Sequence, residues 1–188
     1  ILWKFTEWQC GIPVPGAVDA GNNKLLITGG YELGALMIQV DKKADGNYGT
    51  KELFRTEEFG DQTKTPIFHN GYFYAEYGTN NKRDGMVCMN MNGEIMWKTK
   101  RDPDFNKGSM ILADGLILAT DGAKSRYLIE PDPTAFKPLA KAELLAKQKS
   151  EDPGASRFGT QNWAPIALSG GKLLIRDQSR MLCVKVAD

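Results

Sequence analysis

The chain has 188 residues, 41% of them hydrophobic and 25% charged, with a formal net charge of +1. That balance suits one soluble domain or half of a large all-β one, and it offers no electrostatic case for nucleic acid or an anionic membrane surface. No apolar run approaches the roughly 20 residues a membrane span needs, and no signal peptide is visible.

Residues 1–5, ILWKF, read as a strand and match EIMWK at 94–98. Because residue 1 already lies inside this strand-like run, the natural N-terminus is expected upstream, so a missing signal says little about compartment. Thr6 to Gly16 is polar and broken by proline. Four short strands follow at 17–20, 24–28, 35–40 and 52–56. The next four are the clearest: Pro66 to His69, Tyr72 to Glu76, Met86 to Met91 and Glu94 to Lys98. Asn70-Gly71 and Asn92-Gly93 sit between apolar runs, the strongest short-range hairpin signal, because both residue types tolerate positive φ. The third set runs 110–113, 116–120 and 126–130. Residues 133–149 then have a helix-like composition, although Pro138 would break such a helix early. The repeat calls for an outer strand here, and a turn at 133–136 followed by a strand over 139–145 is the preferred reading. A charged, Gly- and Pro-marked loop spans 149–159. A last set falls at 164–168, 172–176 and 181–186.

One unit recurs. Asn23-Lys24-Leu25-Leu26, Gly71-Tyr72-Phe73-Tyr74, Gly115-Leu116-Ile117-Leu118 and Gly171-Lys172-Leu173-Leu174 stand 48, 44 and 56 residues apart in succession. Four strands per period of roughly 40–50 residues is the signature of a β-propeller. The expected fold is all-β: one domain over 1–188, with antiparallel four-stranded blades near 17–56, 65–98, 109–146 and 163–186. Residues 1–5 would be the outer strand of a preceding or closing blade. Four blades could close on themselves through ILWKF. A fragment of a roughly eight-bladed ring is preferred. Open strand edges at both ends predict a dimer, or an N-terminal half that completes the ring.

The run MVCMNMNGEIMWK at 86–98 resembles the quinoprotein (PQQ)-like propeller repeat of bacterial proteins. Asn90, Gly93, Glu94 and Trp97 stand where that family has a polar residue, a glycine turn and a closing tryptophan, and Trp3 fits the same closing place. Blade one has Asp41 and Phe54 there, and blade three has Asp132 without a tryptophan. The tail from Asn162 to Asp188 is similar to the family's last blade. The resemblance implies a periplasmic or extracellular protein. The family's blades serve dehydrogenases and cofactor-free scaffolds alike, an outer-membrane assembly lipoprotein among the latter. A dehydrogenase of this kind would hold PQQ on the axis beside a calcium, often stacked against a vicinal Cys-Cys disulfide. Cys10, Cys88 and Cys183 provide no such pair, and no acidic cluster with asparagine stands at a matching loop. No cofactor and no metal are therefore expected of this chain, and a quinone-dependent alcohol or sugar dehydrogenase is the alternative.

In a propeller, the loops leading into the inner strands and those joining second to third strands share one face. They would present Trp8, Gln9, Gln62, Lys64, Lys107, Gln161, Asn162, Trp163 and Arg176 to a central funnel. Aromatic faces beside amides suit a protein, peptide or glycan ligand. Asp61 and Asp177 read as solvated single carboxylates. His69 lacks a Ser or Cys partner, so a turn or core role fits it better than a base. Loop 77–81 lacks the Gly-Lys-Ser/Thr of a phosphate cradle. A single histidine and no Cys-x-x-Cys argue against zinc. No catalytic residue is assigned.

Overall fold

The computed structural model describes residues 1–78, 83–145 and 161–187. Fifteen strands form four antiparallel sheets, each following chain order. Sheet 1 contains β1 (Val18–Asp19), β2 (Lys24–Gly29), β3 (Gly34–Lys42) and β4 (Tyr48–Thr56). Sheet 2 contains β5 (Ile67–His69), β6 (Tyr72–Gly78), β7 (Arg83–Asn90) and β8 (Ile95–Lys98). Sheet 3 contains β9 (Met110–Ala113), β10 (Leu116–Thr120), β11 (Ser125–Glu130) and β12 (Lys137–Glu143). Sheet 4 has three strands, β13 (Ala167–Ser169), β14 (Lys172–Arg176) and β15 (Met181–Lys185). The expected loop at 149–159 lies outside the described residues.

Turn chemistry sets the up-and-down order. The first hairpins of sheets 2, 3 and 4 turn at Asn70-Gly71, Asp114-Gly115 and Gly170-Gly171, with positive φ at both residues of each pair. This is the geometry whose twist matches the flanking strands. Asn92-Gly93 is different, since only Gly93 has positive φ (85°). There Asn90 Oδ1 accepts the N–H groups of Asn92 and Glu94, so the asparagine side chain builds the turn.

Side-chain alternation stacks the sheets. Along β6, Phe73, Ala75 and Tyr77 face Leu26, Ala35 and Met37 of sheet 1. Tyr74 faces the other way, toward Ile117, Tyr127 and Ile129 of sheet 3. Sheets 3 and 4 meet through Ile111, Leu118, Leu173 and Ile175. The inner strand β5 touches both β1 and β9, so the first strands converge while the sheets fan outward. This is a run of consecutive propeller blades.

The segment at 133–149 resolves as strand from Lys137 to Glu143, two residues earlier than expected, with 146–149 outside the described residues. Available ladder partners outweigh helix propensity here. Pro138 is tolerated because β12 is the edge of its sheet. Residues 1–5, expected as the outer strand of a preceding or closing blade, pair with none of the described strands. Ile1 is 100% and Leu2 76% exposed, and sheet 4 lies beyond two intervening sheets. Among the described residues no hydrophobic cluster joins sheet 4 to sheet 1, so the four blades form an open arc.

Trp97 fastens one blade to the next. Its ring lies beside Tyr74 and Phe136, with centroids 6.1 and 5.9 Å away. Its indole N–H donates to the Asp132 carbonyl of sheet 3 at 2.8 Å. Burying an aromatic side chain of this size contributes roughly 2–3 kcal/mol.

Candidate functional site

The loop face conceals a buried polar seam. Asp61, in the loop leading into sheet 2, is 2% exposed, which overturns its reading as a solvated carboxylate. The chain folds its side chain back under its own loop: Oδ1 accepts the N–H groups of Thr63 and Lys64 at 2.9 and 2.8 Å. Burial pushes its pKa up to about 7, against the pull of those hydrogen bonds. Glu76 on β6 is as deeply buried, and among the described residues neither carboxylate oxygen has a well-formed hydrogen bond. Burial first, then the neighbouring Asp61 charge, holds its carboxyl well above the usual range. Gly108 comes so close that a Cβ there would meet Glu76 Oε2 at 2.4 Å and the Thr120 carbonyl at 1.7 Å. A side chain at position 108 would therefore break the contact between sheets 2 and 3. Desolvation lowers the Lys64 pKa, and the charges of Asp61 and Glu76 oppose that shift.

The seam continues toward sheet 4. Arg126 on β11 is 5% exposed and donates from Nη1 to the Ser125 carbonyl. Its guanidinium also meets Asn162, once the amide is oriented so that its oxygen accepts from Arg126 and its nitrogen donates to the Arg176 carbonyl at 2.8 Å. Burial lowers the Arg126 pKa, and Asp121, Asp177 and Glu76 counter it. Asp177 is buried too, another correction. Its Oδ1 accepts from the N–H groups of Ser179 and Arg180, while Oδ2 accepts from Arg180 Nη2 at 2.9 Å. Burial acts against the charge, but these bonds hold its carboxyl below the ordinary value.

Above the seam is a shallow hollow of about 180 Å³ bounded by Gln161, Trp163, Ala164, Arg176, Asp177 and Gln178. The amides of Gln161 and Gln178 face each other, with Gln178 Nε2 donating to Gln161 Oε1 at 3.2 Å and Gln178 Oε1 accepting the Gln161 N–H at 3.0 Å. Lys107 Nζ lies 4.7 Å from the Trp163 ring centroid, and the indole remains 40% exposed.

The structure thus brings Lys107, Gln161, Trp163 and Arg176 together. Asn162 belongs beneath them as a fully buried clamp between sheets. Gln62 and Lys64 lie at sheet 2, with Gln62 packed over Gly30. Trp8 sits elsewhere, 5.5 Å from the Arg55 guanidinium on β4. Arg55 is paired with Leu36, whose neighbours Ala35 and Met37 face sheet 2. Trp8 is therefore on the flank of sheet 1 that faces away from sheet 2. Gln9 is exposed beside it. Sequence reasoning missed Glu76 and Arg126. A glutamate at the end of an aromatic strand was the available signal, but its burial depends on both faces of sheet 2 being covered.

Among the described residues no three His, Cys, Asp or Glu side chains gather as a metal site. Cys88 is a buried free thiol whose pKa burial pushes up to about 12. His69 contacts only Asn70 Nδ2 through its Nε2, at 3.0 Å, among its hydrogen bonds in the described residues. No described helix is long and apolar enough to cross a membrane.

No protein-family model matches the chain, and no curated protein matches it by sequence. Among solved structures it is similar to the crystal structure of BamB from Moraxella catarrhalis, at 12% identity and a TM-score of 0.40. The match covers 97% of this chain and 59% of that one, so this chain spans less than two thirds of that protein's length. The sheet layout, not this likeness, carries the fold.

Proposed function

We propose that this run of propeller blades is a non-catalytic binding module that holds a segment of a protein partner in the hollow at the mouth of sheet 4. The single observation that carries the reading is Trp163. It is a large aromatic left 40% exposed on a rigid face, with a cation over its ring and a pair of amides beside it. A flat apolar surface rimmed by hydrogen-bonding groups is the usual form of an anchor pocket. Lys107 and Arg176 favour a segment bearing carboxylates. The seam of Arg126, Asn162 and Asp177 keeps the rim in place, which limits the ordering cost of binding. A periplasmic or extracellular setting belongs to the same proposal and rests on the repeat resemblance.

The test is tryptophan fluorescence and amide-shift titration with acidic peptides, and with acidic oligosaccharides in parallel. Peptide-induced shifts centred on Gln161, Trp163 and Gln178, lost in Trp163→Ala, are expected. Saturation by the oligosaccharide alone would reassign the ligand to a glycan. Stoichiometric uptake of quinone and calcium by the chain would replace the proposal with the dehydrogenase reading.

A further inference from the structure

Two Asn-Gly turns in sheet 2 share a sequence and differ in protection. Asn70-Gly71 joins β5 to β6, and Asn92-Gly93 joins β7 to β8. Such a pair carries its own electrophile and nucleophile. The asparagine amide carbon can close a five-membered ring with the next main-chain nitrogen, and glycine has no Cβ to shield that nitrogen. Reaction then depends on how freely the turn opens and on whether the glycine N–H is engaged.

At the second turn the groups are engaged. The Gly93 N–H donates to the Asn90 carbonyl at 3.2 Å. Asn90 Oδ1 accepts the N–H groups of Asn92 and Glu94 at 2.9 and 3.0 Å. The Phe54 ring covers Gly93, and a Cβ there would meet it at 2.7 Å. The first turn is open. Among the described residues the Gly71 N–H has no partner, and no atom lies within 4 Å of where a Cβ would stand. Asn70 is exposed and holds a left-handed φ of 49°. Its Nδ2 lies 3.0 Å from Nε2 of His69, the single histidine of the chain.

We infer that Asn70 is a self-modifying site, deamidated by attack of the Gly71 nitrogen with His69 protonating the departing amine. The Gly71 nitrogen bonds to Asn70 Cγ and gives its proton to solvent water. With Cγ tetrahedral, Nδ2 becomes an amine with a free lone pair. It takes a proton from the imidazolium form of His69, the Cγ–Nδ2 bond breaks and ammonia leaves. The imidazole recovers its proton from solvent. Water then opens the succinimide ring at either carbonyl, giving aspartate or isoaspartate. One water is consumed and one ammonia released, with no oxidant or reductant.

The two products act differently on the sheet. Sheet 3 makes the same turn with Asp114-Gly115, at φ 49° and 76°, so aspartate fits at position 70. Isoaspartate routes the main chain through the side-chain carbon and lengthens a two-residue turn whose geometry sets the register. The pairing of His69 with Tyr72 is the first to suffer. Because β5 touches both β1 and β9, the disturbance reaches the inner strands of three sheets.

The test is peptide mapping by mass spectrometry of the full chain aged at neutral pH, following both turns. Freeing the Gly93 N–H costs a factor of about five in rate. The Phe54 cover adds to this, so Asn70 is expected to convert at least about tenfold faster than Asn92. In concentrated urea, where neither turn persists, the two rates should converge. His69→Gln leaves a hydrogen-bonding group beside Asn70 that cannot transfer a proton. It is expected to slow conversion at position 70 several-fold and leave position 92 unchanged. Equal rates in the folded chain, no conversion at Asn70, or the same rate gap in urea would overturn the site. An unchanged rate in His69→Gln would overturn the part given to the imidazole.

Discussion

Sheets 2 and 4 are built from the same repeat but differ in what covers them. Sheet 2 has a neighbour on each face and an outer strand whose tryptophan reaches across to sheet 3. Among the described residues, sheet 4 has a neighbour on one face only, a small aliphatic contact around Leu173 and Ile175, and no outer strand. Cys88 and Cys183 occupy matching positions, yet one is buried and the other exposed. A blade's core is therefore not its own property. It is made by the blades on either side, and sheet 4 shows how little is buried where one described neighbour covers a sheet.

The largest expected effect is at the shared interfaces. Tyr74→Ala removes a fully buried ring between sheets 2 and 3 and should cost about 3–5 kcal/mol in urea unfolding. Leu173→Ala, in the thinner contact under sheet 4, should cost toward the low end of about 2–5 kcal/mol. A larger loss at Leu173 would reverse the comparison.

The buried carboxylates come next. Folding raises the Asp61 pKa from the ordinary 3.8 to about 7, so the folded state holds that proton more tightly than the unfolded chain does. The stability this provides is full below pH 4 and is lost as the pH climbs toward 7. Glu76 acts in the same direction. Asn at position 61 can still accept both backbone N–H groups but carries no charge. The melting temperature of Asp61→Asn relative to the parent should therefore rise between pH 4.5 and pH 8. A difference that shrinks with rising pH would mean the carboxylate is ionised and stabilising in the fold.

Smaller still is Trp97→Phe. It keeps most of the aromatic contact and loses the bond to Asp132, a change of about 1 kcal/mol or slightly more by the same unfolding measurement. Trp163→Ala should change stability by less than about 0.5 kcal/mol while abolishing the peptide-induced shifts. Substantial destabilisation there would recast Trp163 as part of the structural core.

The repeat was legible because its signals are local. Gly71, Gly115 and Gly171 mark turns that only permissive residues can make, and the alternating apolar strands between them show the period. The third blade's outer strand ran against a helix-favouring composition, and the outcome depended on a ladder partner, β11, that propensity does not represent. The site was harder to read. Lys107, Gln161, Trp163 and Arg176 converge because the order of loops follows the order of blades. Trp8 does not join them, since the path of residues 6–17 over the flank of sheet 1 is set by contacts with Arg55, Gly29 and Thr65 far along the chain. Asp61 and Asp177 look like surface residues until each folds back to hold its own loop. Their burial is a consequence of turn geometry, not of hydrophobic pattern.

The central claim is that the sheets fan out from converging inner strands. Pulsed electron-spin distances between nitroxides can test it directly, comparing an inner pair at Asp19 and His69 with an outer pair at Lys51 and Met96. A fan predicts an outer separation clearly longer than the inner one, whereas equal separations would mean sheets stacked in parallel and would contradict it.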